Sequence, residues 1–451
     1  GENLEETGFY AESIDDERVV PNMYAEQLAY IVDVTDQINE AIDAVKTDDD
    51  KVDAKNTKSK ELVEFYNNET GLKCQFVSLF NGGKYSIYGY KRYDDVRLVF
   101  LPEQAIASFG GDYDNFTYPR YDLDCAFFRV YDDAGKPVTS NNFFKFSENG
   151  VQKDDVIFSV GNPGSTNRLN TVSQLEYNRD ISYRNRAFLL DQYYMLLDDL
   201  KTEYPDRAND FEKIRTRIGN GQKVFHYTEL GLLDPYLIAR KRDFENKIRA
   251  EVDADPELRD KYSNLWDSVR DLREELKPID SKLAVYKPSR FFGSVYFSIA
   301  KDIIDHANQM KTSFGKDDPN SKKLNIDSLV NEIYPAEIDS VLEEAKLQVQ
   351  LDYIRINLGN EDNLVKKLLG DLSGREAAEE VLAKSFLVNR QKVKQLLQKS
   401  PDEILNSDDP FIYFVSNTMN EIDALSKRSN EIKNTEDVLI NMYGKVLFEI
   451  Y

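Results

Sequence analysis

The chain is 451 residues long and 41% hydrophobic, with 27 Tyr and 25 Phe, and its formal charge is −23. That length suggests roughly two or three domains with sizeable cores, and the charge repels phosphate backbones and anionic lipid surfaces, which argues against nucleic-acid and membrane-surface partners. With no run of about 18 apolar residues nothing is expected to insert into a membrane, and two His and two Cys outside ligand spacing give no reason to expect a metal or other cofactor.

From the N-terminus, Tyr24 to Glu64 is charged and reads as helix, with Asp48-Asp49-Asp50-Lys51 as a solvated turn. Short β-prone runs follow: Gln75 to Phe80, Lys84 to Arg92, Val96 to Leu101, Cys125 to Tyr131 and Val156 to Val160. Turn residues separate them, at Asn81-Gly82-Gly83, Asp133 to Pro137 and Asn162-Pro163-Gly164. That texture predicts a β-barrel or sandwich. Cys74 and Cys125 could pair or stay free.

Near residue 180 the pattern changes. Asp180 to Tyr204, Pro205 to Gln222, Pro235 to Val252, Pro256 to Leu276, Ile326 to Asn357 and Arg375 to Lys399 carry apolar residues at three- and four-residue spacing. Prolines 205, 235, 256, 278, 335 and 401 stand where helices would start or stop. The reading is an α+β chain, β-rich over residues 1–180 and an antiparallel helical domain without repeats over 181–451.

One stretch concentrates chemistry: Phe109-Gly110-Gly111-Asp112-Tyr113-Asp114-Asn115-Phe116-Thr117-Tyr118-Pro119-Arg120, running into Tyr121-Asp122-Leu123-Asp124 and the strand to Tyr131. Gly110-Gly111 permits positive φ or close approach. Asp124 opens an apolar run read as mostly buried, where a carboxylate must be paired. In a hydrolytic triad its partner is the Nδ1–H of a histidine. The alternative is an Asp satisfied by turn amides. A calcium loop fails on spacing, because position twelve from Asp112 is Leu123 rather than Glu.

Phe109 to Tyr131 resembles the hallmark segment of the S46 family of bacterial serine dipeptidyl-peptidases, a Gly-Gly-Asp-x-Asp-Asn-aromatic stretch leading through x-Pro-Arg into an Asp-x-x-x-(Phe/Tyr)-Arg strand. Tyr88 to Val99 resembles that family's Tyr-Lys-Arg-aromatic-x-Asp-Val-Arg-Leu-Val strand, and Gly161 to Arg168 its Gly-x-Pro-Gly-Ser-Thr-x-Arg turn. The resemblance implies a chymotrypsin-like double β-barrel, incomplete here, with a large inserted helical capping domain.

By that resemblance Asp124 takes the catalytic Asp position, and Asn115 matches the Asn that binds the substrate's free α-amino group. Phe116 stands where the family usually has Trp, and its ring face would attract an ammonium by about 0.5–2 kcal/mol, with core packing as the alternative. Asn220, in Asn220-Gly221-Gln222-Lys223, resembles an Asn that reaches the same amine from the capping domain, with a helix C-cap beside Gly219 and Gly221 as the alternative. Tyr121-Asp122-Leu123 replaces the family's His-Thr-Gly.

A general base and a nucleophile are missing. His226 and His306 fall in the helical part and read as surface or packing residues, no Gly-x-Ser-Gly occurs, and Ser165 lies in a different family block. By resemblance the catalytic His precedes the equivalent of Gly1, and the Ser and the P1-selecting residue follow that of Tyr451. The expectation is an internal fragment of an exopeptidase of the periplasm or outer membrane, or secreted, that releases dipeptides from peptides with a free N-terminus; a homodimer is left open. A catalytically inactive relative that keeps the cleft as a recognition module is the alternative, and an unrelated helical adaptor with a β-rich head the more distant one.

Overall fold

The computed structural model describes residues 3–115, 119–158, 161, 168–287, 291–313 and 326–450. The chain divides into two units: Gly1–Asn170 with Glu251–Tyr262 and Asp437–Tyr451, and Thr171–Ala250 with Ser263–Glu436.

The first unit holds, among the described residues, the strands β1 (Phe9–Tyr10), β2 (Arg18–Val19), β3 (Ala25–Asp33), β4 (Lys73–Leu79), β5 (Lys84–Tyr93), β6 (Asp95–Leu101) and β7 (Phe127–Tyr131). They form two open antiparallel sheets. One has the order β3-β5-β4; in the other, β6 pairs with β1, β2 and β7. No closed barrel forms among the described residues. The helices Thr35–Asp43 and Asp48–Thr70 contribute Ile38 and Leu62 to a core with Cys74, Tyr85 and Ile87 of the first sheet.

Two local expectations are corrected. Residues 25–33 are β3, not helix, because β5 offers an edge that the run ending Ile31-Val32 fills, from Ala25 opposite Tyr93 to Asp33 opposite Ser86. Asp48-Asp49-Asp50 is the first turn of a helix, not a solvated turn. Thr47 caps it by accepting from the Asp50 amide, and the three carboxylates face the positive end of the helix dipole.

The turn between β4 and β5 is tightly built. Phe80, Asn81 and Gly82 all have positive φ (52°, 53° and 88°), and a bulky residue there pays roughly 1–2 kcal/mol. Packing holds it, since the Phe80 ring meets Phe448 edge-on at 5.3 Å. A methyl on Gly444 would overlap the carbonyl oxygens of Phe80 and Asn81, and one on Gly82 would overlap the Asn441 side chain.

The second unit is helical. Its largest core gathers Phe297, Ile303, Leu347, Leu351, Phe411 and Phe414, with Phe297 edge-on to both Phe411 and Phe414. A second cluster joins Leu190, Tyr193 and Leu197 of the helix Arg184–Glu203 to Phe211 and Ile218 of the helix Ala208–Leu233. Asp409, fully buried, caps the helix Pro410–Ile450. It accepts from the Ser385 hydroxyl at 2.6 Å and from the amides of Phe386 and Phe411, each at 2.9 Å. Burial raises its pKa against the opposing pull of these bonds.

Pro278, read as a breaker, lies inside the helix Leu265–Tyr286. It sacrifices one backbone bond in a helix anchored on either side by buried Leu276 and Val285.

Candidate active site

The segment from Phe109 is built around a glycine turn and one guanidinium. Gly111 has φ +61° and no atom within 4 Å of where a Cβ would lie, so glycine serves the backbone angle there and not close approach. A single helical turn, Gly111–Asp114, follows with Asp112 buried, and Asn115 ends it half-buried. The Leu123 amide donates to the Ile106 carbonyl at 3.2 Å, tying the returning segment back to the start of the loop.

Between these points Arg120 donates to three groups: Nε to Asp122 Oδ2 at 2.6 Å, Nη1 to Asn115 Oδ1 at 3.2 Å, and Nη2 to Asp124 Oδ2 at 2.9 Å. The fork of a guanidinium suits several planar acceptors at once. Its pKa is raised, first by the hydrogen bond to Asp122. The Asp122 side chain is 8% exposed and that of Asp124 65%.

The expected buried position for Asp124 is therefore corrected. Pairing with β6 begins only at Phe127, opposite Phe100, so residues 124–126 run outside the sheet. Phe127 and Phe128, which point to opposite faces of the strand, are themselves exposed. The buried carboxylate of this sheet is Glu17, 2% exposed in its side chain, which accepts from Arg129 Nε and the Tyr131 hydroxyl, each at 2.6 Å. Sequence reasoning passed over Glu17, whose partners lie more than a hundred residues away.

Phe116 lies outside the described residues, as do Val160, the turn at Asn162-Pro163-Gly164 and Ser165. Residues 156–158, read as a strand, form none. Cys74 is buried and Cys125 exposed, both as free thiols.

In the second unit Asn220 is exposed in the middle of the helix Ala208–Leu233, which runs straight through Gly219 and Gly221 and excludes the C-cap reading. Six residues further along the same helix, His226 is more than a surface residue. Its Nδ1 lies 2.8 Å from Asp191 Oδ2, and Gln222 donates to Asp191 Oδ1 at 2.5 Å. These bonds fasten that helix to the helix Arg184–Glu203. Burial raises the carboxyl pKa of the nearby Glu229, with the Asp191 charge adding to it. His306 is buried, which lowers its pKa.

Among the described residues no three His, Cys, Asp or Glu side chains gather as a metal site requires, and no helix is long and apolar enough to cross a membrane.

The model of the peptidase S46 family matches residues 1–451. This chain belongs to that family. It is 24% identical over 478 residues to a dipeptidyl-peptidase 7 of Phocaeicola vulgatus, an alignment covering 98% of this chain and 64% of the relative. To an Asp/Glu-specific dipeptidyl-peptidase of Porphyromonas gingivalis it is 31% identical over 191 residues, 39% of this chain and 26% of the relative. The crystal structure of Porphyromonas endodontalis DPP11 superposes with a TM-score of 0.73 at 18% identity, over 99% of this chain and 66% of that one. This S46 chain thus spans just under two thirds of the length of such relatives.

Proposed function

We propose that the intact protein is a serine-type exopeptidase that releases dipeptides from the free N-terminus of peptides. On this reading the present chain supplies the orienting Asp124 and the amine-binding Asn115, Phe116 and Asn220. The observation that carries the proposal is that one guanidinium, Arg120, ties Asn115 and Asp124 into a single cluster within an S46 chain. The cluster's charge suits the substrate: one guanidinium against two carboxylates leaves a negative balance beside the amide oxygen, which favours an ammonium.

Asp124 would hold the Nδ1–H of a histidine, fixing its tautomer and stabilising the imidazolium as a serine is activated. Asn115, Phe116 and Asn220 would grip the amino terminus, so that two residues precede the scissile bond. DPP11, which shares this fold, has been solved with the dipeptides Arg-Glu and Arg-Asp. No step in this scheme calls on a metal or organic cofactor.

The two open sheets are, in this proposal, parts of a chymotrypsin-like double barrel. Phe144, Phe146 and Phe158 are 82%, 91% and 87% exposed. An apolar surface of that kind marks a contact face, which further strands of the intact protein would cover. The same reading puts the protein in the periplasm, at the outer membrane or outside the cell.

The test is a full-length protein given matched peptides with free and acetylated N-termini. Dipeptides are expected from the free peptides alone, and equal cleavage of both would remove the amine anchor. The exposure of Asp124, already engaged by Arg120, favours a second reading, a peptide-binding relative without turnover. Binding of free peptides with no product would support that one.

A further inference from the structure

Arg120 is assigned no role of its own in the reaction above, yet it is the hub of the cluster. The period of two in Arg120-Tyr121-Asp122-Leu123-Asp124 puts Arg120, Asp122 and Asp124 on one side of the segment, with Tyr121 and Leu123 exposed on the other. Asp122 is far better buried than Asp124 and is the first cause of the raised pKa of Arg120. A carboxylate so desolvated must keep its cation, so Asp122 fixes where the guanidinium stands. The two remaining arms of the fork then reach Asn115 and Asp124. The arm on Asn115 Oδ1 also decides which way that amide is turned, because only its oxygen can accept from Arg120.

We propose that Arg120, clamped by Asp122, is a positioning residue that locks the spacing between the amine grip at Asn115 and the orienting carboxylate of Asp124. The inference rests on the proposed function. It assigns the chain's departure at Asp122 a use: this carboxylate neutralises the guanidinium, so that the guanidinium does not repel the incoming ammonium, while Asp124, held by Arg120 through Oδ2, keeps its other oxygen for an imidazole N–H. A lysine could not replace Arg120, since a point donor does not hold three acceptors in a fixed plane.

The test is a double-mutant cycle in the full-length protein, read as kcat and KM on a peptide with a free N-terminus and, separately, as binding of that peptide by calorimetry. Arg120→Gln is expected to lower kcat/KM roughly 10–100-fold, the range for residues that orient a functional group, raising KM and lowering kcat together; Asn115→Ala should act mainly on KM. Combined, the two should cost clearly less than the product of their separate losses, because contacting residues couple. Arg120→Lys should recover only part of the loss, and Asp122→Asn should weaken activity in the same sense but less. If Arg120→Gln does not fold, Asp122→Asn paired with Asn115→Ala carries the same cycle. Losses that simply multiply, or full recovery by lysine, overturn the positioning role while leaving the peptidase standing. A wild-type protein that neither cleaves nor binds such peptides defeats the proposed function, and this inference with it.

Discussion

The first unit contains two glycine pairs that look alike in sequence and differ in what they do. Gly82-Gly83 closes the β4–β5 turn against Gly444, where added methyl groups would strike backbone oxygens and neighbouring side chains. Gly110-Gly111 opens the Arg120 loop, where a Cβ on Gly111 would touch nothing. The first pair is packed closely against Asn441, Gly444 and Phe448. The second only turns the chain, and it leads into a segment that is polar, partly exposed and held by one cation. A turn under packing constraint stabilises the fold, whereas a turn in open space leaves its side chains available to a ligand.

The largest expected effect lies on the open side of that contrast. In the full-length protein Asp124→Ala should cut kcat by roughly 10³–10⁴-fold while moving the melting temperature little, since an exposed ion pair contributes about 0–1 kcal/mol. Turnover close to wild type would remove Asp124 from the catalytic group. On the packed side Gly444→Ala should destabilise by about 2–4 kcal/mol, measured by denaturant unfolding, because backbone must move to admit the methyl. A neutral result would mean that the turn is not seated on that helix.

Asp409→Ala should cost about 2–3 kcal/mol by the same measurement, leaving the Ser385 hydroxyl and the Phe386 and Phe411 amides without their acceptor. Gly111→Ala should cost only about 1 kcal/mol, the penalty for a Cβ at positive φ in open space. A loss as large as that of Gly444→Ala would erase the distinction between the two turns. Of the same size is Tyr85→Phe, about 1 kcal/mol, which removes the hydroxyl that donates to Asn441 Oδ1 at 3.2 Å beside the packed turn. Burial pushes that hydroxyl's pKa up to about 12, so it remains a donor at neutral pH.

What could be read in advance followed the range of the interactions. β4, β5 and β6 fall within two residues of the runs Gln75 to Phe80, Lys84 to Arg92 and Val96 to Leu101, because β-prone runs bounded by turn residues announce themselves, and β4 and β5 also close a hairpin. β3 was hidden, since Ala25-Glu26-Gln27-Leu28 looks helical until β5 supplies an edge some sixty residues later. Asn115, Arg120 and Asp124 stand together as their shared segment suggests. The Glu17 cluster and the pairing of His226 with Asp191 join residues by contact, not by pattern, and no periodicity marks them.

The thiols offer a practical consequence. Cys74 is shielded within the first core, whereas Cys125 stands exposed one residue beyond Asp124. A maleimide fluorophore should therefore label this folded chain at Cys125 and spare Cys74, without engineering. Its emission would report directly whenever a peptide settles over that carboxylate.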